Sequence, residues 1–144
     1  MRKNALVLLL VAAVGLLSGC ATAQLNSDVA KGADLQNIRK VYVVHLPKDE
    51  RHVDKLIADR LGVMGKEATT GEQGAAPADV DAIVTYQDKW MWDITMYMIE
   101  LNVQVRKPKT EIALATGHSL RTSLVRKSPT EMVAEVLNDI FKQR

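Results

Sequence analysis

Hydrophobic positions along the chain follow two spacings, which predicts a domain that contains both strands and helices. Runs of β-branched residues and alternation of apolar with polar residues predict strands at 41–46, 66–70, 82–86, 94–106 and 111–121. Apolar residues at helical spacing follow the first of these strands and recur near the carboxyl end of the chain. The predicted order is therefore strand, helix, three or four strands, helix.

Both predicted helices carry recognisable end signals. Asp49 can cap the first helix, whose apolar stripe runs from Val53 to Met64, and Gly65 is a natural stop. The second helix begins at Ser128-Pro129-Thr130-Glu131, which is a capping box with proline at the first helical position. Its apolar stripe covers residues 132–141, and it is the most clearly marked element of the chain.

Two helices with one apolar stripe each can cover one face of a single sheet. We therefore predict an α+β fold, a two-layer sandwich with a mainly antiparallel sheet of four to five strands. Both helices lie on one face of this sheet, in the order β-α-β-β-β-β-α. The predicted domain spans residues 38–144, and the small, polar residues 20–37 before it predict a tether, part of which can fold back onto the domain.

The amino-terminal segment 1–19 has the pattern of a targeting signal. Basic Arg2 and Lys3 precede an uncharged run of 13 residues, which is short for a membrane span of about 20 residues. This run ends at Leu17-Ser18-Gly19-Cys20, and Cys20 is the single cysteine of the chain. The segment resembles a bacterial lipoprotein signal peptide with its lipobox. The alternative is an ordinary secretory signal that is cut after Ala21 or Ala23.

The lipobox resemblance implies where the mature protein lies. Cys20 would carry a diacylglycerol thioether, and the amino group freed by cleavage would usually carry a further acyl chain such as palmitate. Two or more chains hold a protein firmly on a membrane. Ala21 rather than aspartate after the cysteine resembles lipoproteins sent to the outer membrane, so we expect a cell-envelope protein on the outer membrane, facing the periplasm.

Residues 86–98 are the unusual part of the chain, since they hold four of its six aromatic residues and three of its six methionines. In the strand that follows, one face is apolar and the other polar. When this register is extended backward, the polar face carries Met98, Met96, Ile94, Trp92 and Trp90. Either a bulge near 93–96 returns these side chains to the core, or this end of the sheet exposes an apolar surface that binds a partner.

A second resemblance rests on the same segment. The pattern Asp81-x-Ile83-Val84-x-Tyr86-x-Asp88-x-Trp90-x-Trp92-Asp93, with the later Ala115-x-Gly117-x-Ser119, resembles small bacterial envelope lipoproteins of unknown function. It implies no catalytic residue. We expect a non-enzymatic accessory or adaptor protein that binds another envelope component. Its predicted binding residues are Tyr86, Asp88, Trp90, Trp92, Asp93 and Met96. The alternative is a periplasmic domain that binds a small molecule or lipid in a closed, methionine-lined pocket.

Other functional classes find little support in the residues. Removal of the signal segment leaves 17 basic against 17 acidic residues, which argues against a nucleic-acid binder. His45, His52 and His118 are scattered; His45 and His118 could approach across strands, but a pair falls short of the three or four ligands of a zinc site. Gly117-His118-Ser119-Leu120 lacks the second glycine of a nucleophile elbow. We predict no metal, no cofactor and no enzymatic activity.

Overall fold

The computed structural model describes residues 21–110 and 112–142, which form a six-stranded mixed sheet and two helices. The strands are β1 (Ala23–Val29), β2 (Lys40–Val44), β3 (Glu67–Gly71), β4 (Ala82–Asp93), β5 (Thr95–Arg106) and β6 (Ala113–Arg121). The helices are α1 (Val53–Val63) and α2 (Pro129–Ile140), and a short 3-10 helix covers Ser123–Val125. The predicted signal peptide 1–19 and Cys20 lie outside the described residues.

The strand order across the sheet is β1-β6-β5-β4-β2-β3. Strand β2 is parallel to β3 and β4, and the other neighbouring pairs are antiparallel. Both helices pack against each other and against the sheet, so the core lies between one sheet face and the helices. The predicted α+β class with two helices is confirmed. Within the described part of the chain, no helix has the length and apolar character needed to cross a membrane.

The predicted sheet of four to five strands is wrong, because the segment expected to be a tether forms strand β1. Residues 23–29 pair with β6 from Ala23↔Arg121 to Val29↔Ala115. Their side chains are mostly exposed, which is why the sequence lacks the strong apolar run of a central strand. The following loop is also fixed, since Leu35 and Ile38 are buried in the core. This part of the predicted tether is thus folded onto the domain, which the prediction left open.

The end signals at Gly65 and at the start of α2 work as predicted, whereas the N-cap residue of α1 is His52 and not the predicted Asp49. Asp49 accepts hydrogen bonds from the backbone N–H groups of Arg51 and Val53 at 2.8 and 2.6 Å and so holds the start of α1. Gly65 after α1 has a φ of 82°, a left-handed conformation that glycine adopts without strain. At α2, Ser128 and Glu131 form the complete capping box.

The hairpin of β4 and β5 is longer than the sequence predicts, and its β-bulge lies at a different position from the predicted one. Strand β4 continues to Asp93, and Ile94 alone separates it from β5. The pairs Lys89↔Glu100 and Trp90↔Met98 leave Ile99 as the extra residue of a bulge. The bulge therefore lies at Ile99, further from the end of the hairpin than the predicted position at 93–96. It returns Met98 to the core, while the outermost residues of the hairpin stay exposed.

Candidate functional site

The predicted site residues fall into two groups along this hairpin. Tyr86, in the inner group, is buried on the helix side of β4 and is part of the core. Its hydroxyl donates to Asp49 Oδ2 at 2.7 Å and accepts from the backbone N–H of Leu46 at 3.2 Å. Burial and the bond to Asp49 raise the pKa of Tyr86. The side chain of Tyr86 thus ties β4 to the loop before α1, and its predicted binding role stays a prediction.

Trp90 and Asp88 complete the inner group. The indole Nε1–H of Trp90 donates to Asp88 Oδ2 at 2.5 Å, and the ring packs against the edge of the core. The guanidinium carbon of Arg51 lies 4.3 Å from the ring centroid of Trp90, which is the geometry of a cation–π contact. These contacts use the indole for packing within the chain and leave little of it for a partner.

Tyr86→Phe tests the structural role of the inner group. We expect the free energy of unfolding to fall by about 1–2 kcal/mol, because the substitution removes a hydroxyl that satisfies both the buried Asp49 and the Leu46 N–H. Urea unfolding followed by circular dichroism measures the loss. Tyr97→Phe is the matched control, and its effect should be smaller, since the Tyr97 ring is held by the Arg126 guanidinium over its face. Equal losses in both variants would refute the assigned role of the Tyr86 hydroxyl.

The outer group forms an exposed apolar surface at the end of the hairpin. Trp92 is 70% exposed and Ile94 is 82% exposed, whereas Met96, which pairs with Trp92, is 49% exposed. Leu124 of the 3-10 helix is also exposed, and it joins the hairpin because the neighbouring Ser123 hydroxyl donates to the Asp93 carboxylate. We call this end of the molecule the tip patch; its members, which lie on both faces of the hairpin end and on the neighbouring 3-10 helix, are Met91, Trp92, Ile94, Met96 and Leu124. Leu124 was missed from the sequence because its neighbour in space is far along the chain.

A partly buried carboxylate holds the segment behind the tip patch in place. Glu135 of α2 accepts hydrogen bonds from Ser119 at 2.6 Å, from Arg121 at 2.6 and 3.0 Å, and from Lys127. Burial alone would raise the pKa of Glu135, but these three donors outweigh it and lower the pKa. The 3-10 helix lies between Arg121 and Lys127, so both of its ends are fastened to α2 through one side chain.

The described chain starts beside the same segment. The backbone N–H of Thr22 donates to the Thr122 hydroxyl at 2.8 Å, and the N–H of Thr122 donates to the Thr22 carbonyl at 3.0 Å. Thr122 directly precedes Ser123, the partner of Asp93. The start of the sheet and the tip patch therefore lie at the same end of the molecule.

Three ligand-type side chains meet at the start of α1. His45 Nδ1 and His52 Nδ1 lie 3.2 and 4.0 Å from Asp54 Oδ1, and the three ligand atoms lie within 4.8 Å of one another. Within the described residues, Asp54 Oδ1 is buried and lacks a partner in hydrogen-bond geometry. Such a set could hold a divalent cation through two imidazoles and one carboxylate. The shortest contact, from His45 Nδ1 to Asp54 Oδ1, needs no metal ion, since an imidazole can lie beside a carboxylate directly.

The predicted approach of His45 to His118 across neighbouring strands is wrong. His45 follows β2 and His118 lies on β6, and strands β4 and β5 lie between these two strands. His118 Nε2 instead lies 3.3 Å from Glu100 Oε1 on the neighbouring strand. The closed, methionine-lined pocket of the alternative function also finds no support in the described residues. A groove of about 570 Å³ lies along the open face of the sheet beside Tyr42, Ile83 and Thr85, whereas Met98 and Met132 fill the core.

Comparison with known proteins gives a fold but no family. No protein-family model matches the chain, and no curated protein sequence matches it. Among solved structures, the PelC dodecamer from Paraburkholderia phytofirmans is 10% identical and matches with a TM-score of 0.62, over 83% of this chain and 98% of that chain. A single-substitution variant of the same PelC dodecamer is 12% identical, with a TM-score of 0.57 over 82% and 96%.

A PDZ domain protein from Parabacteroides distasonis is 9% identical, with a TM-score of 0.51 over 92% of this chain and 40% of that chain. At these identities the similarity concerns the fold alone.

Proposed function

We propose that the chain is a lipid-anchored protein of the bacterial cell envelope that acts as a non-enzymatic binding module. The lipobox at 17–20 supports the anchor, and the tip patch supplies an exposed surface for binding an envelope component. The single observation that carries the proposal is their position: Thr22, two residues after Cys20, is bonded to Thr122 beside the tip patch.

The exposed area of the tip patch also favours binding over a purely structural role. Indole and thioether side chains bring large, adaptable contact surface, and they are used where proteins meet partners or membranes. The fold similarity to PelC also supports a binding role, because that protein is a dodecamer and a domain of this fold can therefore take part in an assembly. Catalysis gains no comparable support, because the carboxylates near the aromatics, Asp88 and Asp93, are engaged by Trp90 and Ser123.

Cys20→Ser tests the anchor. In bacterial cells fed a labelled fatty acid, we expect the wild-type chain to carry label and the variant to carry none, because the thioether has no sulfur on which to form. The variant should stay as an uncut precursor or appear in the soluble fraction. Gel fluorography and fractionation measure both results.

A second variant separates lipobox chemistry from the mere presence of a thiol. Cys20→Ser combined with Lys55→Cys places the single cysteine on the exposed face of α1. This double variant should remain unlabelled. Label that persists in Cys20→Ser, or a wild-type chain without label, would overturn the proposed anchor.

A further inference from the structure

We infer that the tip patch dips into the surface of the phospholipid bilayer that holds the Cys20 anchor. The bilayer is thus the envelope component that this surface binds. The end of the β4–β5 hairpin faces the bilayer, and the opposite end of the sheet faces the water. This inference rests on the proposed lipid attachment at Cys20 and deepens it. It follows from the length of chain left for a tether, the level of the hairpin in the sheet and the character of the exposed residues.

The anchor has very little chain with which to reach the membrane. The sequence predicts a tether of 18 residues over 20–37, but the sheet begins at Ala23, and Thr22 is already bonded to Thr122. Two residues span at most about 7 Å from Thr22 to Cys20. A lipid on Cys20 therefore holds this end of the sheet against the bilayer, and surfaces at the opposite end cannot take its place.

The β4–β5 hairpin extends past the first residues of β1 at the same end of the sheet. Gln24, Leu120 and Glu100 form one row across β1, β6 and β5. Cys20 lies four residues before Gln24, and Met96 lies four residues before Glu100. Strand β1 and strand β5 both run antiparallel to β6, so both lead back toward the same end. The bulge at Ile99 takes up one of the four residues on β5, so the Met96↔Trp92 pair lies three pairs, about 10 Å, beyond this row. Thr22 lies two residues beyond the row at the start of β1, and two residues of chain, at most about 7 Å, lead from it to Cys20.

The residues at the tip are poorly suited to water. Ile94 is 82% exposed and has a φ of 62°, which is unfavourable for a β-branched residue. Glycine or asparagine would make this turn without strain and without an apolar surface. Isoleucine at this position therefore serves something other than the hairpin itself. Together with an exposed indole, it suits the headgroup region, where tryptophan concentrates in membrane proteins.

Exposed cationic side chains flank the tip patch. Arg126 donates to the Thr95 hydroxyl at 3.0 Å and lies over the Tyr97 ring, and its residue is exposed. Lys89 on β4 and Arg51 over Trp90 are exposed as well. Among these cations lies one carboxylate of the tip, Asp93, which accepts a hydrogen bond from the Ser123 hydroxyl, and Lys89 faces Glu100 on β5. This arrangement of an apolar centre with a basic rim is typical of protein surfaces that contact anionic lipid headgroups.

Quenching of tryptophan fluorescence by brominated phospholipids tests the inference. The lipidated full chain is reconstituted into vesicles of phosphatidylethanolamine and phosphatidylglycerol with bromine in the upper acyl chains. Since one of the two tryptophans faces the bilayer, we expect roughly half of the emission to be quenched. Trp92→Phe should lose most of this quenching, because the remaining Trp90 is held against the core by Asp88 and Arg51.

A matched reporter at the opposite end of the sheet checks the orientation. Ile112 is an apolar residue, 59% exposed, in the connection between β5 and β6, far from the tip. In the variant that combines Trp92→Phe with Ile112→Trp, the new indole should be accessible to iodide in the water and unaffected by the brominated lipid. Quenching of this reporter by lipid would show a different orientation and overturn the inference.

The outcomes also separate this inference from the proposed function. Mass spectrometry of the reconstituted protein first establishes whether Cys20 carries lipid; a bare Cys20 defeats the proposed anchor itself. If Cys20 is lipidated but Trp92 stays open to iodide, the anchor stands and the inference fails. If Trp92 is shielded from both iodide and bromine, and crosslinking yields multimers, the patch is covered by a second copy of the chain, which also overturns the inference.

Discussion

Replacing Glu135 by glutamine is expected to lower the free energy of unfolding by about 3 kcal/mol at neutral pH. The neutral amide cannot balance Arg121 and Lys127, whose cationic groups meet the Glu135 carboxylate in a partly buried site. It also disturbs the fully buried Ser119, which donates to the same carboxylate. Urea unfolding at neutral pH measures the loss.

The same variant makes a pH prediction whose sign follows from the lowered pKa of Glu135. Because the folded pKa lies below the ordinary value of 4.5, the carboxylate stabilises the fold above that pH. This stabilisation is lost as the pH falls through the folded pKa. The stability difference between wild type and Glu135→Gln should therefore be full at neutral pH and shrink in acid below about pH 4.

Glu131→Gln is the control on the same helix. Its carboxylate is exposed, and glutamine can also serve in a capping box, so its effect should be much smaller than that of Glu135→Gln. Equal effects of the two substitutions, or a stability difference for Glu135→Gln that does not change in acid, would contradict the role assigned to Glu135.

Local sequence signals predicted the helices well because the atoms that decide them are close in sequence. The Ser128–Glu131 capping box and the hydrogen bond from the Val53 N–H to Asp49 each act within four residues. Strand β1 escaped prediction for the opposite reason. Its residues expose most of their surface, and only pairing with β6, some 90 residues further along the chain, makes them a strand.

The candidate site was predicted in part for a similar reason. The broken alternation around residues 90–98 indicated an anomaly in the sheet, and both explanations apply to different residues. A bulge at Ile99 returns Met98 to the core, and Trp92 remains exposed beyond it. The sequence could not show which of these residues are buried and which are exposed, because that depends on how far the helices cover the hairpin. Leu124 and the position of Thr22 depend on contacts across the sheet, so they carry no local signal.

Trp90→Ala and Trp92→Ala are expected to behave as opposites although the two residues are separated by a single position. Trp90 lies partly buried against the core, beneath Arg51, so its removal should lower the free energy of unfolding by about 2–3 kcal/mol. Trp92 is 70% exposed, and its removal should change stability by no more than about 0.5 kcal/mol. Thermal and urea unfolding of both variants measure this contrast.

This pair of substitutions decides whether the tip patch is available for binding at all. A domain that unfolds as readily without Trp92 as without Trp90 would use both indoles for its own stability, and the binding role of the patch would be wrong. A folded Trp92→Ala protein of native stability would instead mean that the chain keeps an indole in water without gain to its fold. An exposed indole close to the strained, exposed Ile94 fits the proposed contact of the tip patch with a bilayer, which would remove both side chains from water.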